Sequence, residues 1–172
     1  NAVVVAHDDG TAQQIFQKAH AFYDNLETWL RPMKRYSTRQ ELFFANPSDR
    51  DRGSVPGLKS RIVVASARNI HSSAGGTYHS VHLSEAARYP KPEEIETSTL
   101  QTVALASNTM IVIESTARPE GHWFKAMCDA ARSGDSIYEF DFIGWPEDPT
   151  CRVPLAAGEV IEPETIDEEA LW

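Results

Sequence analysis

The chain has 172 residues, 41% of them hydrophobic and 24% charged, which is the mixture of an ordinary globular domain and not of a disordered one. That length suits one domain, enough to cover a parallel sheet with helices on both faces. No apolar run approaches the ~18 residues of a membrane span, and no basic leader with a cleavage site opens the chain.

The formal charge of −9 is unevenly spread: residues 1–80 carry 10 Lys or Arg against 7 Asp or Glu, whereas residues 81–172 carry 6 against 18. A protein that grips DNA over its whole surface is excluded, because the acidic half repels phosphates; any DNA contact is local or belongs to another part of a larger protein. Cys128 and Cys151 have no neighbouring ligand pairs, so they read as free thiols in a reducing compartment. The chain enters an apolar strand directly from Asn1 and ends in an acidic, helix-like stretch at Trp172. Both ends are expected to be cuts through a longer protein.

Ala2 to Ala6 (AVVVA) is a β-branched run of the kind that a strand buried on both faces shows. After His7-Asp8-Asp9-Gly10-Thr11, the residues Ile15, Phe16, Ala19, Phe22, Tyr23 and Leu26 recur at helical spacing. They predict an amphipathic helix capped by Asp8, Asp9 or Thr11 and stopped by Pro32 after Leu30. Met33 to Asn46 contains a hairpin-like or single-strand segment centred on Leu42 to Ala45. Pro47 to Lys59 is a polar loop, Arg61 to Ala67 a buried strand, and Arg68 to Thr77 a loop with two adjacent glycines.

Tyr78 to Ser84 reads as a strand that breaks at Glu85 to Pro90. Glu93 to Ala106 is a helix of modest propensity, weakened by Thr97, Thr99, Thr102 and Val103. Met110 to Ile113 is the most apolar strand, and Gly121 to Ala131 the helix after it. Ile137 to Ile143 (IYEFDFI) alternates apolar and acidic residues like an edge strand. Beyond Trp145-Pro146 the chain is rich in Pro and acids, with an amphipathic restart near Glu164 to Trp172.

Strands separated by helices predict an α/β fold: a doubly wound, mainly parallel sheet in three α/β/α layers. Such sheets gather their chemistry at the carboxyl ends of the strands. That rule selects His7-Asp8, Ala67-Arg68, Ser84-Glu85, Glu114-Ser115-Thr116 and Asp141 for one crevice.

Val81-His82-Leu83-Ser84-Glu85 is the sharpest local feature. An apolar strand that delivers a polar group and then a glutamate is the Walker-B arrangement, in which the first helps to hold Mg²⁺ and the glutamate orients or deprotonates the attacking water. The bland alternative is a glutamate that caps the following turn. Ser84 stands where an aspartate is usual; a hydroxyl can bond a metal-bound water but supplies no charge.

Glu114-Ser115-Thr116 has the form of a sensor that registers the γ-phosphate, and equally of ordinary helix caps with Pro119 at an early helical position. Arg68, at the mouth of a strand, is either a γ-phosphate ligand in its own or the next subunit or a surface arginine paired with a carboxylate; Arg61, Arg88 and Arg118 are lesser candidates. The histidines lack ligand spacing, and His79 and His82 point to opposite faces of one strand. Glu85, Glu114 and Asp141 leave open a two-metal nuclease. No GxxxxGK[ST] occurs, so nothing here cradles the α- and β-phosphates, and the chain by itself is not expected to hydrolyse ATP.

The run from Tyr78 to Pro90 (YHSVHLSEAARYP), followed by Ile111 to Ala117 (IVIESTA) and Gly121 to Phe124 (GHWF), resembles the ATPase domain of the large terminase subunit of tailed bacteriophages and prophages. The similarity extends upstream through the opening strand and helix and downstream to Phe142 to Trp145. The resemblance implies a P-loop NTPase-type fold with its P-loop before Asn1, and residues 1–146 as the core of the ATPase domain, with residues 147–172 an acidic, Pro-rich extension or linker. It implies Glu85 as catalytic glutamate, Ser84 at the metal-side position, Ser115-Thr116 with Glu114 as coupling motif, and Arg68 as the arginine near the nucleotide.

The cofactors so implied for the full-length protein are ATP and Mg²⁺. The implied partners are double-stranded DNA, the portal protein, the small terminase subunit and further copies in a ring, usually pentameric. The implied place of work is the cytoplasm of the infected bacterial host, away from membranes. The function expected is that of an ATP-hydrolysing motor driving viral DNA into a capsid. The alternatives are another P-loop-type translocase or helicase, a metal-dependent nuclease, and a non-catalytic α/β interaction domain.

Overall fold

The computed structural model describes residues 1–72, 76–103, 106–116, 122–144, 147–151 and 158, with the backbone alone at 70–72 and 96. These residues fall into two compact units, Asn1–Met127 and Cys128–Trp172.

Six strands of the first unit form one mixed sheet: β1 (Ala2–Ala6), β2 (Tyr36–Ser37), β3 (Glu41–Phe44), β4 (Ser60–Ser66), β5 (Ser80–Ser84) and β6 (Met110–Glu114), in the order β2-β3-β4-β1-β5-β6. The four apolar runs are mutually parallel, with β1 pairing both β4 and β5, and β5 pairing β6. The β2-β3 hairpin adds antiparallel to β4. β1 sits between two parallel neighbours, which accounts for its unbroken β-branched sequence: both of its faces are covered.

On one face Val3, Val5, Val81 and Leu83 pack with Tyr89, Ile95 and Val103, and Trp123 and Phe124 at the start of α3 (Trp123–Ser133) close against them. On the other face Ala6, Leu42, Phe44 and Val64 pack with Ala12 and Phe16 of α1 (Asp9–Asn25). The expected three-layer α/β architecture is therefore present. α1 opens on Asp8, whose carboxylate accepts from Thr11 N–H at 2.7 Å, and Tyr23 near its end donates to Pro32 O. The loop before β4 turns at Gly57 (φ +75°), where a Cβ would lie 2.8 Å from Asn46 N, so the position demands glycine.

Besides α1, which ends at Asn25 and not at Leu30 ahead of Pro32, three sequence readings need correction. The helix expected over Glu93 to Ala106 is shorter: α2 spans Pro92–Ser98, followed by a 3₁₀ turn at Leu100–Thr102. The hydroxyls explain this, because those of Thr97, Ser98 and Thr102 bond back to carbonyls of the preceding turn and compete with helix continuation. The segment after β4, expected to be a loop, begins with 3₁₀ turns over Ala67–Ser72, kinked at Asn69.

The third correction falls in the second unit, where Ile137 to Ile143 is not a strand, and Ile137, Phe142 and Ile143 are exposed. Alternation gives a strand only where a neighbouring strand takes up its backbone bonds. There, α3 ends in a Schellman motif at Gly134 (φ +82°), with Asp135 N–H bonded to Ala130 O, and Arg132 lies over the Phe140 ring. The expected helix caps around Pro119 and the restart near Glu164 lie outside the described residues.

Candidate active site

Parallel pairing brings the carboxyl ends of β4, β1, β5 and β6 to one edge of the sheet. Ala6 is level with Ser66, Val5 with Leu83, and Ser84 with Glu114.

At the tip of β1, His7 Nε2 lies 3.0 Å from Asp8 Oδ2. The Thr11 N–H, with smaller help from the charges of His7 and Arg68, holds the Asp8 carboxyl below its ordinary value. His7 Nδ1 is buried without a hydrogen-bond partner among the described residues. Arg68, two residues past β4, is exposed; its backbone N–H donates to Ser66 Oγ at 3.3 Å.

β5 carries Ser84, 8% exposed, to its end, and the Ser84 hydroxyl makes no hydrogen bond among the described residues. Glu85 follows in the left-handed region (φ 57°, ψ 42°) at the head of a 3₁₀ turn over Ala86–Arg88. Its side chain does not cap that turn, so the capping alternative is not what the structure contains. Instead Glu85 Oε2 is shielded from solvent, accepts no hydrogen bond, and faces Arg88 Nε at 3.5 Å.

The turn behind Glu85 is held from two sides. Ala87 N–H donates to Ser115 Oγ at 3.2 Å, tying it to the end of β6. Tyr89 Oη donates to Val5 O at 2.7 Å, tying it to the end of β1. Burial, and then the negative charge of Glu114, push the Tyr89 phenol well above its ordinary value. Glu114 itself is exposed and lies 3.3 Å from His82 Nε2, diagonally across the β5-β6 pair. Thr116 is exposed.

The structure thus brings Ser84, Glu85, Glu114 and Ser115 to one place. It gives Arg68 no printed contact with them; its charge is felt at Asp8. Asp141 belongs to the second unit and ends no strand. Among the described residues no three His, Cys, Asp or Glu side chains gather in a metal-binding group.

The sequence did not mark Tyr89, and it ranked Arg88 among lesser arginines. Their only signal was proximity to Glu85 in a short Ala-Ala turn. A cleft beside α1, lined by Asp9, Ala12, Gln13, Arg39, Gln40 and Val64, contains none of the strand-tip residues named above.

Among the described residues β6 is the last strand of the sheet, and Met110 and Val112 on its second face are 60% and 40% exposed.

No protein-family model matches the sequence, and no curated protein matches it. The fold is of the α/β type, a mixed six-stranded sheet packed on both faces. Solved structures that resemble it include the large terminase ATPase domain of Thermus phage P74-26, with a TM-score of 0.55 at 18% identity, and an arginine-to-alanine variant of that domain, with a TM-score of 0.57 at 20% identity. Each match covers 73% of this chain and 50% of the solved one, so the chain spans half the length of those structures. At such identity the likeness is one of fold.

Proposed function

We propose that this chain is the core of an ATP-hydrolysing motor domain of the large terminase kind, which drives double-stranded viral DNA into a capsid. The observation that carries the reading is the β5-β6 pair: Ser84 and Glu114 lie level at its end, Glu85 follows, and Ser115 is hydrogen-bonded to the turn that Glu85 heads. The likeness of fold to a phage terminase ATPase domain supports it.

In this reading Glu85 accepts a hydrogen bond from the attacking water and aligns it with the γ-phosphorus, with catalysis resting on positioning and charge. Ser84 would help to hold Mg²⁺ through a water, and the ion would supply charge neutralisation at the phosphate oxygens. Ser115, Thr116 and Glu114 sense the state of the site, since Ser115 touches the backbone of the turn carrying Glu85. Arg68 reaches the γ-phosphate from its own or a neighbouring subunit.

The phosphate cradle comes from a segment outside this chain, for which the open edge and bare face of β6 leave room. The partners are double-stranded DNA, a portal protein, a small terminase subunit and further copies in a ring. Among the described residues no helix is long and apolar enough to cross a membrane.

The test is Glu85→Gln in the full-length protein. Size and most hydrogen bonding persist while the carboxylate is lost, so nucleotide still binds and turnover falls by roughly 10²–10⁴-fold, the usual worth of a positioned acid or base. Full-rate ATP turnover by this variant would sink the proposal.

A further inference from the structure

Glu85 is held in an unusual way for a residue asked to aim a water molecule. Its backbone is left-handed, a conformation a residue with a Cβ keeps only when its surroundings enforce it. The enforcement is visible: Arg88 N–H donates to Glu85 O at 2.9 Å and Tyr89 N–H to Ala86 O at 3.1 Å, closing the turn. Ser115 and Val5 then pin the turn to the ends of β6 and β1.

The carboxylate is constrained as well. Oε2 is removed from water and has no hydrogen-bond donor, and a shielded carboxylate oxygen is costly unless a cation stands beside it. Arg88, with Nε 3.5 Å away, is that cation. Arg68, the arginine that the sequence points to, is instead felt at Asp8.

We propose that Arg88 is the positioning residue for Glu85: its guanidinium takes Oε2, fixes the carboxylate rotamer, and leaves Oε1 to accept the hydrogen bond from the attacking water. This rests on the reading of Glu85 as the hydrolytic glutamate. Arg88 acts through Glu85 and touches neither nucleotide nor water. Because Arg88 and Glu85 sit three residues apart on one rigid turn, the pair moves as a unit when Ser115 shifts.

The experiment is steady-state ATPase kinetics of the full-length protein carrying Arg88→Ala, Arg88→Lys or Arg88→Gln, beside Glu85→Gln. Arg88→Ala is expected to lower kcat on the order of 10²-fold, the cost of a misplaced reacting group, with KM for ATP little changed. Arg88→Lys restores part of the loss, because an ammonium supplies the charge without the planar fork. A wild-type or raised kcat in Arg88→Ala overturns the proposal. If Arg88→Ala does not fold, equal rates for Arg88→Lys and Arg88→Gln overturn it, since only the first keeps the cation. Full turnover by Glu85→Gln overturns the underlying reading, whereas a dead Glu85→Gln beside an unimpaired Arg88→Ala overturns this inference alone.

Discussion

The phenolic hydroxyl of Tyr89 donates a 2.7 Å hydrogen bond to the carbonyl oxygen of Val5, 84 residues earlier in the chain. The last residue of the turn behind Glu85 is thereby fastened to the penultimate residue of β1, a strand with a neighbour on each side. One bond holds two loops of the candidate site at a fixed separation.

That bond has a signature in alkali. Burial foremost, then the Glu114 charge, raise the Tyr89 pKa above 10. The folded chain therefore holds this proton more tightly than the unfolded one. The corresponding stability is fully present below the unfolded value and is lost as pH rises beyond it, at up to about 1.4 kcal/mol per pH unit. Tyr78, also raised chiefly by burial, adds to the slope. Tyr89→Phe is expected to cost about 1 kcal/mol at neutral pH and to flatten the fall above pH ~10. Urea midpoints of both proteins across that range are the measurement, and identical alkaline slopes would remove Tyr89 from the account.

At the tip of β1 the sign is opposite. Asp8 is held below its ordinary value, first by the Thr11 N–H that it caps. Its stabilisation is thus present above the unfolded carboxylate value, ~4, and fades as pH falls through the lower folded value. Asp8→Ala should lower the melting temperature at neutral pH by a few degrees, and Asp8→Asn by less because an amide oxygen still caps. The gap between wild type and Asp8→Asn should close in acid; a gap that stays constant from pH 7 to pH 3 contradicts the cap's charge dependence.

The parallel strands were legible because a strand covered on both faces is apolar along its length, as AVVVA of β1 is. β4, β5 and β6 each carry apolar residues that pack into the sheet, even though β5 also holds polar residues and β6 leaves Met110 and Val112 exposed. Their carboxyl ends then follow from topology, which is why Ser84, Glu114 and Ser115 could be expected together. Ile137 to Ile143 misled because its alternation describes a surface, and a surface becomes a strand only beside another strand. α2 ended early for a local reason that its own threonines and serine advertise. Tyr89 was invisible because its meaning lies in a bond to Val5, and no spacing in one sequence encodes a pairing across 84 residues.

Ser115 offers a separate test of coupling. Its hydroxyl accepts from the N–H of Ala87, a residue only 3% exposed, so Ser115→Ala leaves a shielded donor unpaired at a cost of about 1–3 kcal/mol. If this contact transmits the state of the nucleotide, the full-length Ser115→Ala protein keeps much of its ATP hydrolysis but moves fewer base pairs of DNA per ATP, while Ser115→Thr retains both. Parallel loss of hydrolysis and translocation would make Ser115 a structural fastening only.

Arg68 remains to be placed by function. Its side chain is exposed and makes no hydrogen bond or ion pair among the described residues, and its charge is felt at Asp8 on the neighbouring strand tip. In the motor reading, this guanidinium, unpaired among the described residues, is available to a phosphate in its own subunit or in an adjacent one. Under the motor reading its charge matters most as the γ-phosphoryl group moves, so Arg68→Ala is expected to leave nucleotide binding nearly intact and to slow turnover by about 10³-fold or more. Mixed assemblies decide between cis and trans action. A ring that combines Arg68→Ala with Glu85→Gln contains interfaces where an intact Glu85 from one subunit faces an intact Arg68 from the next, whereas no single subunit carries both. Trans action therefore predicts that mixing two nearly inactive proteins restores a measurable fraction of the steady-state ATPase rate, and cis action predicts none. Wild-type turnover by Arg68→Ala alone excludes either role, and failure to recover activity in rings of verified mixed composition restricts Arg68 to its own subunit.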